Sequence, residues 1–342
     1  MRHNNNNNTA RIDRRRFLKG GASATLATLA AAAAASTVTG PGGILISSAQ
    51  GADALTADPD GLTTYQLGPQ IWIRYDNQPL TCYRAHPTQK YPYLYPLSGP
   101  VSGLSLTSET ALPYPHHRSL FFGCDQVNGG NYWQEGFEQG QVISSGPTVG
   151  GSTTPHTAEI KDACSWHKPS AQPVMSDTRT ILVSVPSPRL RFIDFDITWT
   201  AVEDIAIKKT NHSLFSLRAA VDIVPKSGGT LINALGDRDE KGTYGKKAAW
   251  CAFYGKRAGA GMSVSEQPVE GIAILDHPKN PWSPCAWFTR DYGFMSPTPF
   301  QFIEEPWKLK SGDSVRLRYR VVLFAGDTRE ANLDGIYKDW AV

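Results

Sequence analysis

The chain has 342 residues and a formal charge of +3, but that charge is unevenly placed. Residues 1–54 hold six arginines and lysines against two aspartates, +4, which leaves residues 55–342 at −1. That remainder lacks the basic face nucleic acid requires, and no stretch in it approaches the ~20 apolar residues of a membrane span.

The first element is an address. Asp13-Arg14-Arg15-Arg16-Phe17-Leu18-Lys19 matches the twin-arginine pattern, and a weakly apolar, alanine-rich run follows over 20–35. Small-x-small cleavage sites stand at Ala52-Asp53-Ala54 and Ser47-Ser48-Ala49. Charge, apolar run and cleavage site in that order predict a signal over 1–54, read by the twin-arginine export machinery, with a periplasmic or extracellular destination. The asparagine run at 4–8 is low-complexity. Residues 55–342 show no Pro/Gly/Ser linker and no internal repeat, and are expected to form one domain without stable membrane insertion.

Along that domain the first aromatic feature is Tyr91-Pro92-Tyr93-Leu94-Tyr95. The densest run comes next: Pro113-Tyr114-Pro115-His116-His117-Arg118, then Cys124-Asp125, Asn128-Gly129-Gly130 and Tyr132-Trp133. Two imidazoles beside a fixed cation and an acceptor suit acid–base work near neutral pH. On a strand, His116 and His117 would point to opposite faces.

Over 193–201 apolar residues alternate strictly: Ile193, Phe195, Ile197, Trp199 and Ala201 on one face, Asp194, Asp196, Thr198 and Thr200 on the other. Val315, Leu317, Tyr319, Val321 and Leu323 do the same opposite Arg316, Arg318 and Arg320. This period of two predicts antiparallel strands with one buried face, with Phe195, Trp199, Leu317 and Tyr319 inward. Between these stretches lie Thr210-Asn211-His212-Ser213, the cationic turn Gly245-Lys246-Lys247, and the apolar strand 271–275 opening into Asp276-His277-Pro278. Trp282 and Trp287-Phe288-Thr289-Arg290-Asp291-Tyr292 follow. Leu333, Ile336, Tyr337 and Trp340 fall at helical spacing, with Asp327 or Thr328 as the expected cap. Many short strands and one closing helix predict an all-β antiparallel sandwich, of supersandwich, galactose-mutarotase-like size, with a short C-terminal helix.

The five cysteines form no C-x-x-C pair, and their odd count leaves at least one thiol unpaired. No phosphate-binding glycine loop, G-x-S-x-G elbow or H-E-x-x-H is present, and no spacing singles out a metal, so the cofactor stays open.

Thr210-Asn211-His212-Ser213 resembles a stretch of the aldose 1-epimerases, in which the histidine acts on the sugar ring oxygen. PHHRSLFFGCDQVNGGNYW, GKKAAWCAFYG, the 271–300 segment and the closing LRYRVVLFAGDTREANLDGIYKDW resemble, in order, a bacterial domain family labelled "methane oxygenase PmoA-like". That resemblance spans roughly 65–340 and implies a β-sandwich, often exported, without an established activity. Where that family has Gly-Asp-Thr, this chain has Lys208-Lys209-Thr210. Methane oxidation itself belongs to a multi-span membrane protein and is not expected here.

Two readings follow. One is an exported carbohydrate-active enzyme: a glycoside hydrolase, lyase or epimerase. His116, His117, Asp125 and His277 would be catalytic; Arg118, Asn128, Trp133, Lys246, Trp282, Arg290 and Asp291 would bind the carbohydrate; all would meet in one site. The other is a non-catalytic carbohydrate-binding or cell-surface module stacking sugars on Trp133, Trp282 and the 91–95 run. The export reading has its own test: Arg14→Lys with Arg15→Lys, with Arg16 also varied, leaves the precursor in the cytoplasm on fractionation. Undiminished export of that variant removes the twin-arginine assignment.

Overall fold

The computed structural model describes residues 61–342 apart from 135, 260 and 261. The twin-arginine segment and its cleavage sites lie outside the described residues.

The strictly alternating stretches become the two long central strands of one sheet, Leu190–Ala201 and Ser314–Ala325, paired antiparallel with Phe195 opposite Tyr319. Ile193, Ile197, Trp199 and Leu317 are fully buried and Phe195 and Tyr319 nearly so. The wet face is stitched by ion pairs. The Arg320 Nε lies 2.6 Å from Asp194 Oδ1, and Arg316 Nε donates to Asp196 at 2.8 Å. This sheet runs Thr230–Asn233, Trp250–Lys256, Val269–Asp276, Ser314–Ala325, Leu190–Ala201, Met175–Ser187, Thr157–His167, Gln141–Ser144, with Thr148–Val149 beside Thr157–His167.

The other sheet runs Leu62–Leu67, Gln70–Tyr75, Gln78–Arg84, Tyr93–Leu97, Leu120–Cys124, Ser213–Arg218, Phe294–Pro297, Trp287–Arg290. Each strand pairing in both sheets is antiparallel. The sheets pack face to face through an aromatic seam. Phe215 stacks on Tyr319 with ring centroids 4.5 Å apart and meets Phe195 edge-on at 4.8 Å. Phe122 meets Trp166 at 5.6 Å and Trp199 at 5.9 Å. The architecture is thus an all-β, antiparallel sandwich of supersandwich size with a short C-terminal helix.

That helix, Leu333–Trp340, covers the outer face of the first sheet described. Leu333, with the half-buried Ile336, Tyr337 and Trp340, packs on Trp250, Leu275 and Phe324. Its cap differs from expectation: Asn332 accepts from the Gly335 N–H, while Asp327 caps the preceding turn through the Arg329 and Glu330 N–H groups. The helix therefore begins one turn later than the acidic cap signal suggested. All five cysteines are free and buried. Among the described residues no helix is long and apolar enough to cross a membrane.

Truncating Phe215 to Ala should cost about 3–5 kcal/mol in urea unfolding, because it empties the seam between sheets. Thr198→Ala, on the wet face, should stay within about 0.5 kcal/mol. The reverse order of effects would place the seam wrongly.

Candidate functional site

Because side chains alternate along a strand, the residues flanking Phe215 leave the opposite face of their sheet. Arg218 is the cross-strand partner of Phe294, and Phe294 is in turn the partner of Arg290. Arg218, Phe294 and Arg290 thus form one row across three strands on the sheet's outer face. The hairpin that carries the row turns at Gly293, whose φ of +104° suits glycine and where a Cβ would come within 2.6 Å of Val224.

Over this row lies a cleft of about 270 Å³ whose walls include Tyr114, His116, His117, Asn211, His212, Phe288, Arg290 and Tyr292. The histidine pair stands on a turn between Pro115 and the next strand, not on a strand. His117 N–H donates to the Tyr114 carbonyl at 3.0 Å, and the Tyr91 hydroxyl holds the His116 carbonyl. Both rings therefore reach the same cleft, edge to face at 4.5 Å, which corrects the opposite-faces expectation.

His212 enters from the loop before Ser213–Arg218, its ring 5.9 Å from that of His116. Thr210 accepts from the His212 N–H at 3.0 Å, Trp133 stacks behind the ring at 5.6 Å, and Asp125 Oδ2 lies 3.8 Å from Nδ1. Asp125 thus stands behind His212 and not behind His116 or His117. Arg290 lies 4.1 Å over the Phe288 ring and is paired with Glu240 at 3.0 Å.

His117 is only 3% exposed and lies 4.4 Å from Phe294. Burial, then the neighbouring His116, Arg218 and His212, push its pKa down to about 2. It is a neutral ring at any ordinary pH, and its Nδ1 has no hydrogen-bond partner.

A family model described as "Family of unknown function (DUF6807)" matches residues 70–338. The chain belongs to this family. No curated protein matches it. Among solved structures it is similar to "Putative kojibiose phosphorylase from human microbiome", at 9% identity and a TM-score of 0.33 over 77% of this chain, and spans 32% of that chain. It is also similar to a galactose mutarotase related enzyme from Lactobacillus acidophilus, at 8% identity and a TM-score of 0.25, covering 78% of this chain and 98% of that one. Likenesses this loose carry no argument about the site of this family member.

Several expected site residues lie elsewhere. His277 directly follows a strand of the opposite sheet that ends at Asp276, buried, edge-on to Trp340 at 4.9 Å, with Nδ1 accepting from the Lys279 N–H. Beside it, buried Asp276 accepts from Asn280 and from the Cys285 N–H, so this pair holds its own loop. The single site joining both histidine clusters is therefore corrected: Arg290 comes to the cleft and His277 does not. Trp133 is fully buried and backs His212, so it offers no sugar a face. Trp282 packs edge-on to Phe300 and Trp307 and lines a different hollow, with Lys247 and Phe302. Tyr91 and Tyr93 are buried too.

Asn128 spends its amide on Glu203, the Asp204 carbonyl and the Ala206 N–H. Asp291 accepts from the Glu240 N–H, pinning the short helix Asp239–Thr243, and exposed Lys246 follows that helix. Arg118 donates to Gln89 and lies over Tyr93. Among the cleft residues given no site role from sequence are Tyr114, His212 and Tyr292, with Arg218 behind them. Only His212 had a signal of its own, in the Thr-Asn-His-Ser stretch. Among the described residues no group of three or more His, Cys, Asp or Glu is gathered to hold a metal ion.

The two buried histidines set an acid limit. His277 is held at about 4, first by burial and then by Arg318 and Lys279. Each has a folded pKa below the unfolded value near 6.5, so the unfolded chain takes up protons first as pH falls. Stability is full above about 6.5 and is lost below it, by about 2 kcal/mol per histidine between pH 7 and 5. Urea unfolding of the wild type against His117→Gln and His277→Gln should show shallower pH dependence in each variant. A wild type equally stable at pH 7 and 5 would contradict the neutral, buried placement.

Proposed function

We propose that the chain is a carbohydrate-active enzyme whose reaction is proton transfer on a sugar, an epimerase or lyase reaction in preference to hydrolysis. The observation that carries this is the meeting of His116 and His212 across one cleft, with ring centroids 5.9 Å apart. Glycoside hydrolysis ordinarily needs two carboxyl groups flanking the scissile bond, about 5–9.5 Å apart. Among the described residues the cleft walls carry none: Asp125 stands behind His212, and Glu240 is paired with Arg290. Two imidazoles, which ordinarily titrate near neutrality, suit a base on one side of a sugar and an acid on the other.

In an anomer exchange, one imidazole takes the anomeric hydroxyl proton while the other gives its proton to the ring oxygen. The C1–O5 bond breaks as the aldehyde forms; rotation and the reverse transfers close the other anomer, with no co-reactant consumed. His212, oriented by Asp125 and Trp133, is assigned the ring-oxygen side, in line with its resemblance to the aldose 1-epimerases. Neutral His117 keeps a second charge away from the pair. The exposed Tyr114 and half-buried Tyr292 offer the ring faces that Trp133 and Trp282 do not.

The same reading places the enzyme outside the cytoplasm, on the strength of the Arg14-Arg15 motif. Five unpaired buried thiols suit a chain that folds in a reducing compartment before export. The PmoA-like likeness stays a likeness of segments, with no oxygenase chemistry attached.

Purified protein should interconvert sugar anomers or eliminate across a glycosidic bond, followed by NMR and ultraviolet absorbance, with activity varying between about pH 5 and 8. His116→Asn and His212→Asn should each lower turnover by about a hundredfold or more while circular dichroism stays unchanged. Binding without turnover, lost on Tyr114→Ala and Tyr292→Ala but kept in both histidine variants, would establish the binding-module alternative instead.

A further inference from the structure

Three arginines of this chain grip an aspartate in one way, Nε to one oxygen and Nη2 to the other: Arg179 on Asp177, Arg316 on Asp196 and Arg320 on Asp194. That edge of a guanidinium matches a planar carboxylate. In Arg191 the same edge is open. Arg191 is 8% exposed, and among the described residues its one hydrogen bond runs from Nη1 to the Ser98 carbonyl. Its Nε and Nη2 bond nothing within the chain, yet neither is sealed from solvent, as the Nε and Nη1 of Arg218 are. Glu270, Tyr75 and Asp76 act on it from beyond ion-pair range.

The position follows from the strand. Arg191 is the second residue of Leu190–Ala201 and leaves the same face as Ile193, between the sheets, at the end where the sandwich opens. Its Nη1 crosses to the carbonyl just past the strand Tyr93–Leu97 of the other sheet. There it lines a cavity of about 490 Å³, with Gln78, Pro79, Pro96, Pro100 and Ser102 among the other walls. Small-molecule sites ordinarily hold about 300–1,000 Å³. Buried Glu270 holds the wall in place. Its Oε1 accepts from the Val101 N–H at 2.7 Å and the Ser102 N–H at 3.1 Å, and the Ser102 hydroxyl donates to Oε2. Gly99 permits this, since a Cβ there would run into the Glu270 carboxylate. With both its oxygens engaged, Glu270 fixes the loop and leaves the Arg191 edge to the cavity.

We propose that this cavity binds a small-molecule carboxylate, received by the Nε–Nη2 edge of Arg191 while Pro79, Pro96 and Pro100 take its apolar body. The Nη1 bond to Ser98 holds the guanidinium in place for that contact, so little side-chain freedom is lost on binding. One guanidinium in the field of Glu270 and Asp76 suits a single negative charge and not a phosphoryl dianion. The cavity shares no lining residue with the histidine cleft, and the proposal does not rest on the proton-transfer reading.

Calorimetric titration of the purified chain with galacturonate against galactose, and benzoate against benzyl alcohol, tests it, with inorganic phosphate alongside. At least one acid should bind about tenfold or more tightly than its neutral counterpart. Galacturonate will do so if the ligand is an acidic sugar, benzoate if it is an apolar acid. Arg191→Gln should remove the difference and leave neutral binding unchanged. Arg191→Lys should fall between, because an ammonium keeps the charge without the paired N–H groups. Gln78→Trp, at the exposed rim of the cavity, should block the acid even if Arg191→Gln does not fold. Equal binding of acids and neutral counterparts, an acid preference that survives Arg191→Gln or Gln78→Trp, or phosphate binding more tightly than either acid would each overturn the proposal.

Discussion

The stacking of Phe215 on Tyr319 fixes the direction of every side chain on the strand Ser213–Arg218. With Phe215 turned into the seam between sheets, Arg218 must leave the other face, because three residues along a strand reverse the direction. The same seam turns Phe122 inward against Trp166 and Trp199, and so turns Phe121 outward against Tyr91 and Trp133. Trp133 then backs His212. A one-residue slip of this strand would send Arg218 into the core and Phe215 into the cleft. The site and the seam are two faces of one register.

That coupling explains what sequence could reveal. Strands 193–201 and 315–323 have one wet face, so their alternation was plain, and their Asp and Arg residues pair across it as the pattern implied. Ser213–Arg218 is buried on both faces, so it reads as Ser-Leu-Phe-Ser-Leu-Arg with no period to follow. Its Arg218 carried no signal, nor did Tyr292 on the neighbouring hairpin. Tyr91, Trp133 and Trp282 looked like ligand platforms because composition cannot distinguish a ring stacked on a sugar from one packed on another ring. His277 misled for a related reason. A histidine where a strand opens into a loop fits a site, but this one accepts from Lys279 in its own loop and packs on Trp340 of the C-terminal helix.

Hydrogen-bond satisfaction separates the structural polar groups from the candidate functional ones better than residue type does. Asp276 meets Asn280 and the Cys285 N–H, and Asp177 meets Arg179 and the Trp166 indole at 2.7 Å. Such closed sets ask for nothing further and hold loops or sheets in place. In and behind the cleft, His117 Nδ1, Trp133 Nε1, Ser216 Oγ and two nitrogens of Arg218 are buried without partners, and of these residues only His117 lines it. Orphaned groups occur elsewhere too, as at Trp199 Nε1 in the core. On the outer face, Ser216 and Arg218 are neighbours on one strand, and Arg218 carries a full charge, as orphaned Arg257 does elsewhere.

Charge and depth also set the imidazoles of the cleft apart. A ring beside Arg218, with Phe294 against it and only 3% of its surface exposed, has little to stabilise its proton, so His117 stays neutral. His116 and His212 are half-buried at the cleft wall, His212 with Asp125 behind its Nδ1. The three histidines therefore differ in depth: His117 is closed in beneath the cleft, and His116 and His212 stand at its wall.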